Sequence, residues 1–383
     1  MIEIKDKSLC SGCHACFNVC PKECIEMKSD NEGFWYPEVD KNKCVDCHLC
    51  EKACPIINLK ESNNNPKAYA CYNKDENIRM DSSSGGLFTL LASKTINNGG
   101  VVYGAMFNEQ FEVIHGKVST NDELKLFRGA KYTQSKLGDT YKNVKQDLDK
   151  GTEVYFSGTP CQIDGLLTYL NKKYDNLICQ DIICHGVPSP KVWKEYLKTF
   201  KGNINKVKFR NKEDGWTGYK VEIESNEQSY MNHHSNDIYM KAFLSNICLR
   251  PSCYNCHSKS LHRNSDITLA DFWGINNIDS SMNDNKGTSL VFIDSKKGQE
   301  LYDSLEENIV FREVDINEAV KYNPSAYQSV ALTDKRKQFF NNYNGENLNE
   351  VVKELTKVSL LKKISKFVYR VIRKLRRMIL NDK

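Results

Sequence analysis

The sequence predicts an α/β (α+β) multidomain protein: a small cysteine-rich N-terminal domain, a larger mixed-sheet domain and a helical C-terminal tail. Three observations predict it. A cysteine pattern recurs within positions 1–58, strand-like and helix-like runs alternate from residue 67, and the end of the chain repeats apolar residues at helical spacing. The 383 residues are 40% hydrophobic and 27% charged, enough for two or three domains with a sizeable core. Boundaries are expected at 1–58, 67–330 and 331–383, with the polar stretch 60–66 as a linker. No run of 18 apolar residues is present, and the first residues lack the apolar stretch of a signal peptide. A cytoplasmic location is therefore expected, and the 16 cysteines read as metal ligands rather than disulfides.

The N-terminal domain carries the most specific signal. Cys10-x2-Cys13-x2-Cys16-x3-Cys20-Pro21 recurs as Cys44-x2-Cys47-x2-Cys50-x3-Cys54-Pro55. This is the bacterial ferredoxin spacing, in which the fourth cysteine of each run serves the other 4Fe-4S cluster. Cys10, Cys13, Cys16 and Cys54 are thus expected to hold one cluster, and Cys44, Cys47, Cys50 and Cys20 the other. A pair of zinc sites is the alternative, but such sites rarely show three cysteines at successive x2 spacings twice over. Cys24 reads as a buried free thiol, and His14 and His48 as surface side chains.

In the second domain, strand-like runs at 68–72, 101–107, 153–156, 177–183 and 267–272 alternate with helical patterns at 86–96, 139–148, 160–170 and 190–200. Such alternation predicts a mostly parallel sheet covered by helices, with a β-rich antiparallel insertion over 203–235. Cys161 opens a helix after one strand and Cys184 follows the next, so both are expected at the carboxyl edge of the sheet. Cys253 and Cys256 can complete a four-thiolate site there. On spacing alone, zinc held by Cys248, Cys253, Cys256 and His257 or His262 is an equal alternative. Neither G-x-G-x-x-G after a strand nor G-x4-G-K-[ST] occurs. Instead, the small residues Ser82–Gly86 precede a helical pattern, and Gly158 and Thr159 precede another; helix N-termini behind small residues suit an anionic group.

Five segments resemble the coenzyme F420 hydrogenase/dehydrogenase beta subunit family. They are Ser82-Ser83-Ser84-Gly85-Gly86, Arg128-Gly129-Ala130-Lys131-Tyr132-Thr133-Gln134, Ser157-Gly158-Thr159-Pro160-Cys161-Gln162, Cys184-His185-Gly186-Val187-Pro188-Ser189-Pro190 and Ser265-Asp266-Ile267-Thr268-Leu269-Ala270-Asp271-Phe272-Trp273-Gly274. The resemblance spans roughly residues 1–300. It implies an FAD-binding domain with its own 4Fe-4S cluster, whose ligands carry over as Cys161, Cys184, Cys253 and Cys256. It favours an FAD role, over that of a loop and helix cap, for the small residues Ser83, Ser84, Gly85, Gly86, Gly158 and Thr159 at the helix starts, where Arg128 and Lys131 could neutralise phosphates or a reduced flavin. His185 is a candidate proton relay, and Asp271 and Trp273 are candidates to line the flavin pocket, each with an equally ordinary structural reading. Through its many bacterial members of uncertain role, the resemblance also implies a link to surface-polysaccharide metabolism.

Residues 351–383 hold 11 Lys and Arg against 2 Asp and Glu, which leaves a net −4 on positions 1–350 out of +5 overall. The body is therefore acidic and no nucleic-acid partner is expected. In the tail, Leu361, Ile364, Phe367, Val368, Val371 and Ile372 recur at helical spacing opposite Lys362, Lys363, Lys366, Arg370 and Arg373. A basic amphipathic helix suits peripheral contact with the inner membrane surface, or docking on its own domain. The expected function is an iron–sulfur flavoprotein oxidoreductase acting on a small molecule, with a redox protein such as ferredoxin as partner. The alternatives are an electron-transfer subunit of a larger complex and a non-enzymatic metal-binding module in a polysaccharide assembly system.

Overall fold

The apolar runs after residue 66 are short, rich in β-branched and aromatic residues, and buried along most of their length. Runs of this kind suit strands covered on both faces. A computed structural model describes residues 1–58 and 61–357. In the N-terminal segment β1 (Ile25–Ser29) and β2 (Trp35–Val39) form an antiparallel hairpin between two short helices, α1 (Ala15–Val19) and α2 (Leu49–Lys52). The large sheet then begins with β3 (Lys67–Asn73), β4 (Val101–Phe107), β5 (Val113–Val118), β6 (Val154–Ser157) and β7 (Leu177–Ile182). Three strands, β8 (Ile204–Asn211), β9 (Lys220–Ser225) and β10 (Ser229–His233), form a separate antiparallel sheet, as the β-rich insertion predicts. The chain returns to the large sheet with β11 (Ile267–Asp271), β12 (Ser289–Ile293) and β13 (Ile309–Val314).

The eight strands are ordered β13-β3-β12-β11-β7-β6-β4-β5. Parallel pairing is confined to four neighbours, β11, β7, β6 and β4; the three pairs on one side of them and the single pair on the other are antiparallel. The sheet is therefore mixed rather than mostly parallel. Parallel neighbours need a long crossover, and α3 (Pro160–Leu170) supplies the one between β6 and β7. The five-residue link between β4 and β5 permits only a hairpin.

Side chains alternate across the sheet. Val102, Tyr155 and Ile178 pack on one face with Leu87 and Leu91 of helix 87–97, while Tyr103, Phe156 and Cys179 pack on the other with Ile163 and Leu166 of α3. The start of the expected C-terminal tail is helical at Asp334–Asn342 and Leu348–Leu355. There Phe339, Leu348, Val351 and Val352 enter an aromatic core with Trp193 and Tyr239. The basic amphipathic stretch expected from residue 361 lies outside the described residues. Among those described, no helix is long and apolar enough to cross a membrane.

The N-terminal segment is tied to the body at three places. At the hairpin turn, Arg336 forms a bidentate pair with Glu32, and Lys191 Nζ donates to the Asn31 carbonyl at 3.0 Å. Behind α1, Asn18 Nδ2 donates to the Gly138 carbonyl at 2.9 Å, and Thr168 Oγ1 on α3 donates to the Ala53 carbonyl at 2.8 Å. Between these, the fully buried Arg250 reaches into the segment's main chain.

Candidate functional site

The twofold cysteine repeat is also a repeat of backbone. His14 and His48 precede α1 and α2 in matching left-handed conformations, with φ of 61° and 59°. Each helix thereby follows a tight turn that gathers its flanking thiols. One cavity of about 230 Å³ is walled by Cys10, Cys13, Cys16 and Cys54. A second is walled by Cys20, Cys44, Cys47 and Cys50, with Cys24 beside them. The structure thus places Cys10, Cys13, Cys16 and Cys54 at one cavity and Cys20, Cys44, Cys47 and Cys50 at the other. Cys24 is buried, with its Sγ 3.4 Å from that of Cys20. His48 is exposed as expected. His14 is not: it is 1% exposed, edge-on to Phe17 and Trp35, because α1 is the side of the segment that faces the body.

Burial pushes the Cys13 thiol up to about 12 and that of Cys16 well above its usual range, with the neighbouring thiols adding to the rise. Buried thiolates of this kind form only against compensating positive charge, which iron would supply. The two sets differ in exposure: Cys47 is open to solvent, whereas Cys13 is buried against α3. No three His, Cys, Asp or Glu side chains converge as ligands of a single ion among the described residues.

At the carboxyl edge of the sheet, Cys161 opens α3 directly after β6, and Cys184 follows β7. Residues 248–250 are brought beside them by main-chain pairing: Ser189 N donates to the Cys248 carbonyl and Arg250 N to the Val187 carbonyl, both at 3.0 Å. This carries Cys253 to the site, where Val187 N donates to its Sγ at 3.4 Å. The thiols of Cys161, Cys184, Cys253 and Cys256 lie close enough for mutual charge repulsion, which adds to burial in raising Cys161, Cys253 and Cys256. Lys259 Nζ donates to the Cys184 carbonyl. Cys248 is fully buried in the aromatic core, His262 Nδ1 sits 2.6 Å from the Asn64 carbonyl, and His257 Nε2 stands 4.0 Å from Asp164.

Beside this thiol group lies a cavity of about 440 Å³, within the range of small-molecule and cofactor sites. Its wall includes Ser83, Ser84 and Gly86 ahead of helix 87–97, and Gly158, Thr159 and Cys161 at the start of α3. Arg128, Lys131, Cys184, His185, Asp271 and Trp273 complete the expected set. Gly85 does not line it. A Cβ there would stand 2.5 Å from the Cys71 carbonyl, so this glycine lets the loop lie flat on β3 and β12. Cys253 and Cys256 are also absent from the cavity wall.

The cationic groups are held in place by other contacts. Lys131 Nζ donates to the Phe127, Arg128 and Gly129 carbonyls, each at 3.2 Å. An ammonium has three donors, so Lys131 offers the cavity charge rather than a free hydrogen bond. Burial lowers its pKa to about 7. Arg128 Nη1 donates to Asp81 at 3.0 Å. His185 Nε2 lies 2.6 Å from Asn246 Oδ1, and burial lowers its pKa.

Sequence reasoning missed Arg210. This residue of β8 is 3% exposed, pairs with Asp271 and lies 4.4 Å from the Tyr219 ring centroid. Its Nε and Nη2 have no partner among the described residues, and it borders the cavity. Orphaned buried N–H groups at a cavity wall fit an anionic ligand. No motif marks Arg210; only the placement of the β8–β10 sheet reveals it. Arg250 was likewise hidden inside a segment read for its cysteines.

Two family models match the chain. Residues 9–56 match the model of the 4Fe-4S dicluster domain. Residues 151–319 match the model for the C terminus of the coenzyme F420 hydrogenase/dehydrogenase beta subunit. Among solved structures, the F420-reducing NiFe hydrogenase complex from Methanosarcina barkeri is similar at 14% identity and a TM-score of 0.45, covering 77% of this chain and 92% of that one. A search of curated proteins found no match.

Proposed function

We propose, from a chain that joins a 4Fe-4S dicluster domain to the C-terminal region of the coenzyme F420 hydrogenase/dehydrogenase beta subunit, that it is an iron–sulfur flavoprotein oxidoreductase acting on a small molecule. The observation that carries this reading is a shared wall: Cys161 and Cys184 belong both to a four-thiol group and to a cavity of cofactor size. In this reading Cys10, Cys13, Cys16 and Cys54, then Cys20, Cys44, Cys47 and Cys50, then Cys161, Cys184, Cys253 and Cys256 each hold one 4Fe-4S cluster. Residues 1–58 are the relay, 67–330 the cofactor domain and 331–383 an appended tail.

Bound in the cavity, FAD would supply the exchange between one-electron and two-electron chemistry. The chain's own groups orient and neutralise it. Ser83, Ser84, Gly86, Gly158 and Thr159 give the backbone close access at two helix starts, and Arg128, Lys131 and Arg210 contribute positive charge. His185, at the same wall with Asn246, is the candidate proton carrier. A redox protein such as ferredoxin is the proposed donor or acceptor at the exposed Cys47 side. The description of the matched family as a subunit favours a second reading, an electron-transfer subunit whose turnover strictly requires a partner chain.

Anaerobic purification followed by iron, sulfide and flavin analysis tests the first reading. About 12 iron per chain are expected from three four-iron clusters, together with one FAD. Replacing Cys161 with serine is expected to remove about four of those irons and leave the rest. A protein with zinc and no flavin, or a Cys161→Ser variant of unchanged iron content, would overturn it.

A further inference from the structure

Arg250 is fully buried, and no carboxylate is among its hydrogen-bond partners in the described residues. Its Nε donates to the Cys10 carbonyl at 2.8 Å and its Nη2 to the Trp35 carbonyl at 2.9 Å. Its Nη1 donates to Gln134 Oε1 at 3.0 Å. Nη2 also points at the Cys10 thiol, 3.7 Å from Sγ. The guanidinium carbon lies 4.3 Å from the Tyr36 ring centroid. A buried cation with only neutral partners is strongly disfavoured unless an anion stands nearby. The set of thiolates headed by Cys10 is the anion that its donors reach.

We propose that Arg250 raises the reduction potential of the inner ferredoxin-type centre, the one held by Cys10, Cys13, Cys16 and Cys54. This rests on the reading that residues 9–56 bind two 4Fe-4S clusters. Adding one electron to a centre adds one negative charge; no bond forms or breaks, and an external one-electron donor supplies the electron. Net charge and hydrogen bonds to the sulfurs are among the features that set such potentials. Arg250 provides both, a fixed positive charge in a low-dielectric site and an N–H directed at a ligand sulfur. At the set with Cys20, Cys44, Cys47 and Cys50, Ile2 N–H stands 3.2 Å from Cys50 Sγ; the cations bordering that cavity, the Met1 ammonium and Lys22, are on its solvent side, and the ammonium is already paired with Asp46 and Glu51.

Placement gives the effect a purpose. Along α3, Cys161 belongs to the third thiol group, Gly165 lies against Cys13, and Thr168 holds Ala53 beside Cys54. The inner set thus adjoins the helix that leads to the cavity. Arg250 is joined through its own main chain to Cys253, whose N–H donates to the Arg250 carbonyl at 3.0 Å. Favouring reduction at the inner set draws an electron toward the body.

The test is a potentiometric titration of the full-length holoprotein with dithionite, followed by electron paramagnetic resonance, for wild type, Arg250→Met and Arg250→Lys. Arg250→Met is expected to shift one ferredoxin-type signal to more negative potential and leave the other in place. Arg250→Lys, which keeps the charge, is expected to recover part of the shift. A Cys47→Ser variant identifies the outer signal. Unchanged midpoints with full iron content, or equal movement of both signals, would overturn the proposal. Should Arg250→Met fail to fold, wild-type protein labelled with nitrogen-15 arginine serves: a nitrogen-15 coupling on the reduced inner signal is expected, and its absence counts against Arg250. Iron analysis separates the two failures: a chain without iron in residues 9–56 defeats the underlying reading and the proposal with it, whereas full iron with unmoved midpoints defeats the role of Arg250 alone.

Discussion

Lys131 is a charge whose presence depends on pH. Its three donors close the 127–131 turn, and burial brings its pKa down to about 7. Below that value the cavity wall carries a cation; above it the cation is lost. Binding of an anionic ligand is therefore favoured on the acid side. Added FAD, followed by fluorescence quenching, is expected to bind roughly ten-fold more weakly at about pH 8 than at about pH 6, the effect of losing one charged contact. Lys131→Met should flatten that profile, and a profile unchanged by the substitution would remove Lys131 from the anion site. The sign for stability is opposite. Above pH 7 the unfolded chain takes up a proton that buried Lys131 refuses, so its share of folding stability rises with pH up to the usual lysine range. Residues of this kind were partly legible in the sequence. Lys131 and Arg128 stand in a motif, whereas Arg210 and Arg250 owe their roles to partners far along the chain, Asp271 for one and Cys10 for the other.

At the scale of elements, α3 does more than cover the sheet. A Cβ on Gly165 would stand 2.8 Å from Cys13 Cβ and 3.0 Å from the Tyr141 hydroxyl, so the helix has a notch that accepts the N-terminal segment. Overpacking such a contact costs about 1–3 kcal/mol. Gly165→Val is expected to loosen the docking, seen as faster hydrogen exchange over residues 9–56 with little change in the large sheet. Equal exchange in both proteins would mean that the notch is incidental. Both α3 and its neighbouring strands were readable because each is a local pattern: an apolar run, then Gly-Thr-Pro, then helical spacing. Strands β5, β12 and β13 were not. Ser289–Ile293 is a short apolar run that periodicity cannot assign, and Ile309–Val314 becomes a strand by pairing with Lys67–Asn73, from the opposite end of the same domain. Those flanking pairs are the ones that make the sheet mixed.

For the whole molecule, the two parts differ in what holds them together. The body has two apolar layers across an eight-stranded sheet. The N-terminal segment has only a small cluster of its own, led by Ile2, Cys24, Ile25 and Cys50 and extended by Cys16, Cys20, Cys44 and Cys54. Its interior is made largely of thiols, so bound iron would itself be the core. Anaerobic removal of iron with a chelator is expected to melt the ferredoxin-type segment and leave the sheet folded, giving two separate transitions in calorimetry where the loaded protein gives a higher first one. A single unchanged transition would show that docking alone sustains the segment. The thiol-rich interior was legible from spacing, but the manner of docking was not, because Glu32 with Arg336 and Asn18 with Gly138 are pairs with no local signature.

The exposure of Cys47 sets an order of vulnerability. Dioxygen or peroxide arriving from solvent meets that sulfur long before it reaches Cys13 or Cys161, so oxidative attack works from the rim inward. On the proposed reading, a chain injured once in this way would keep its deeper inorganic centres and its pigment, yet be cut off from whatever feeds it, silent in turnover while still brown to the eye.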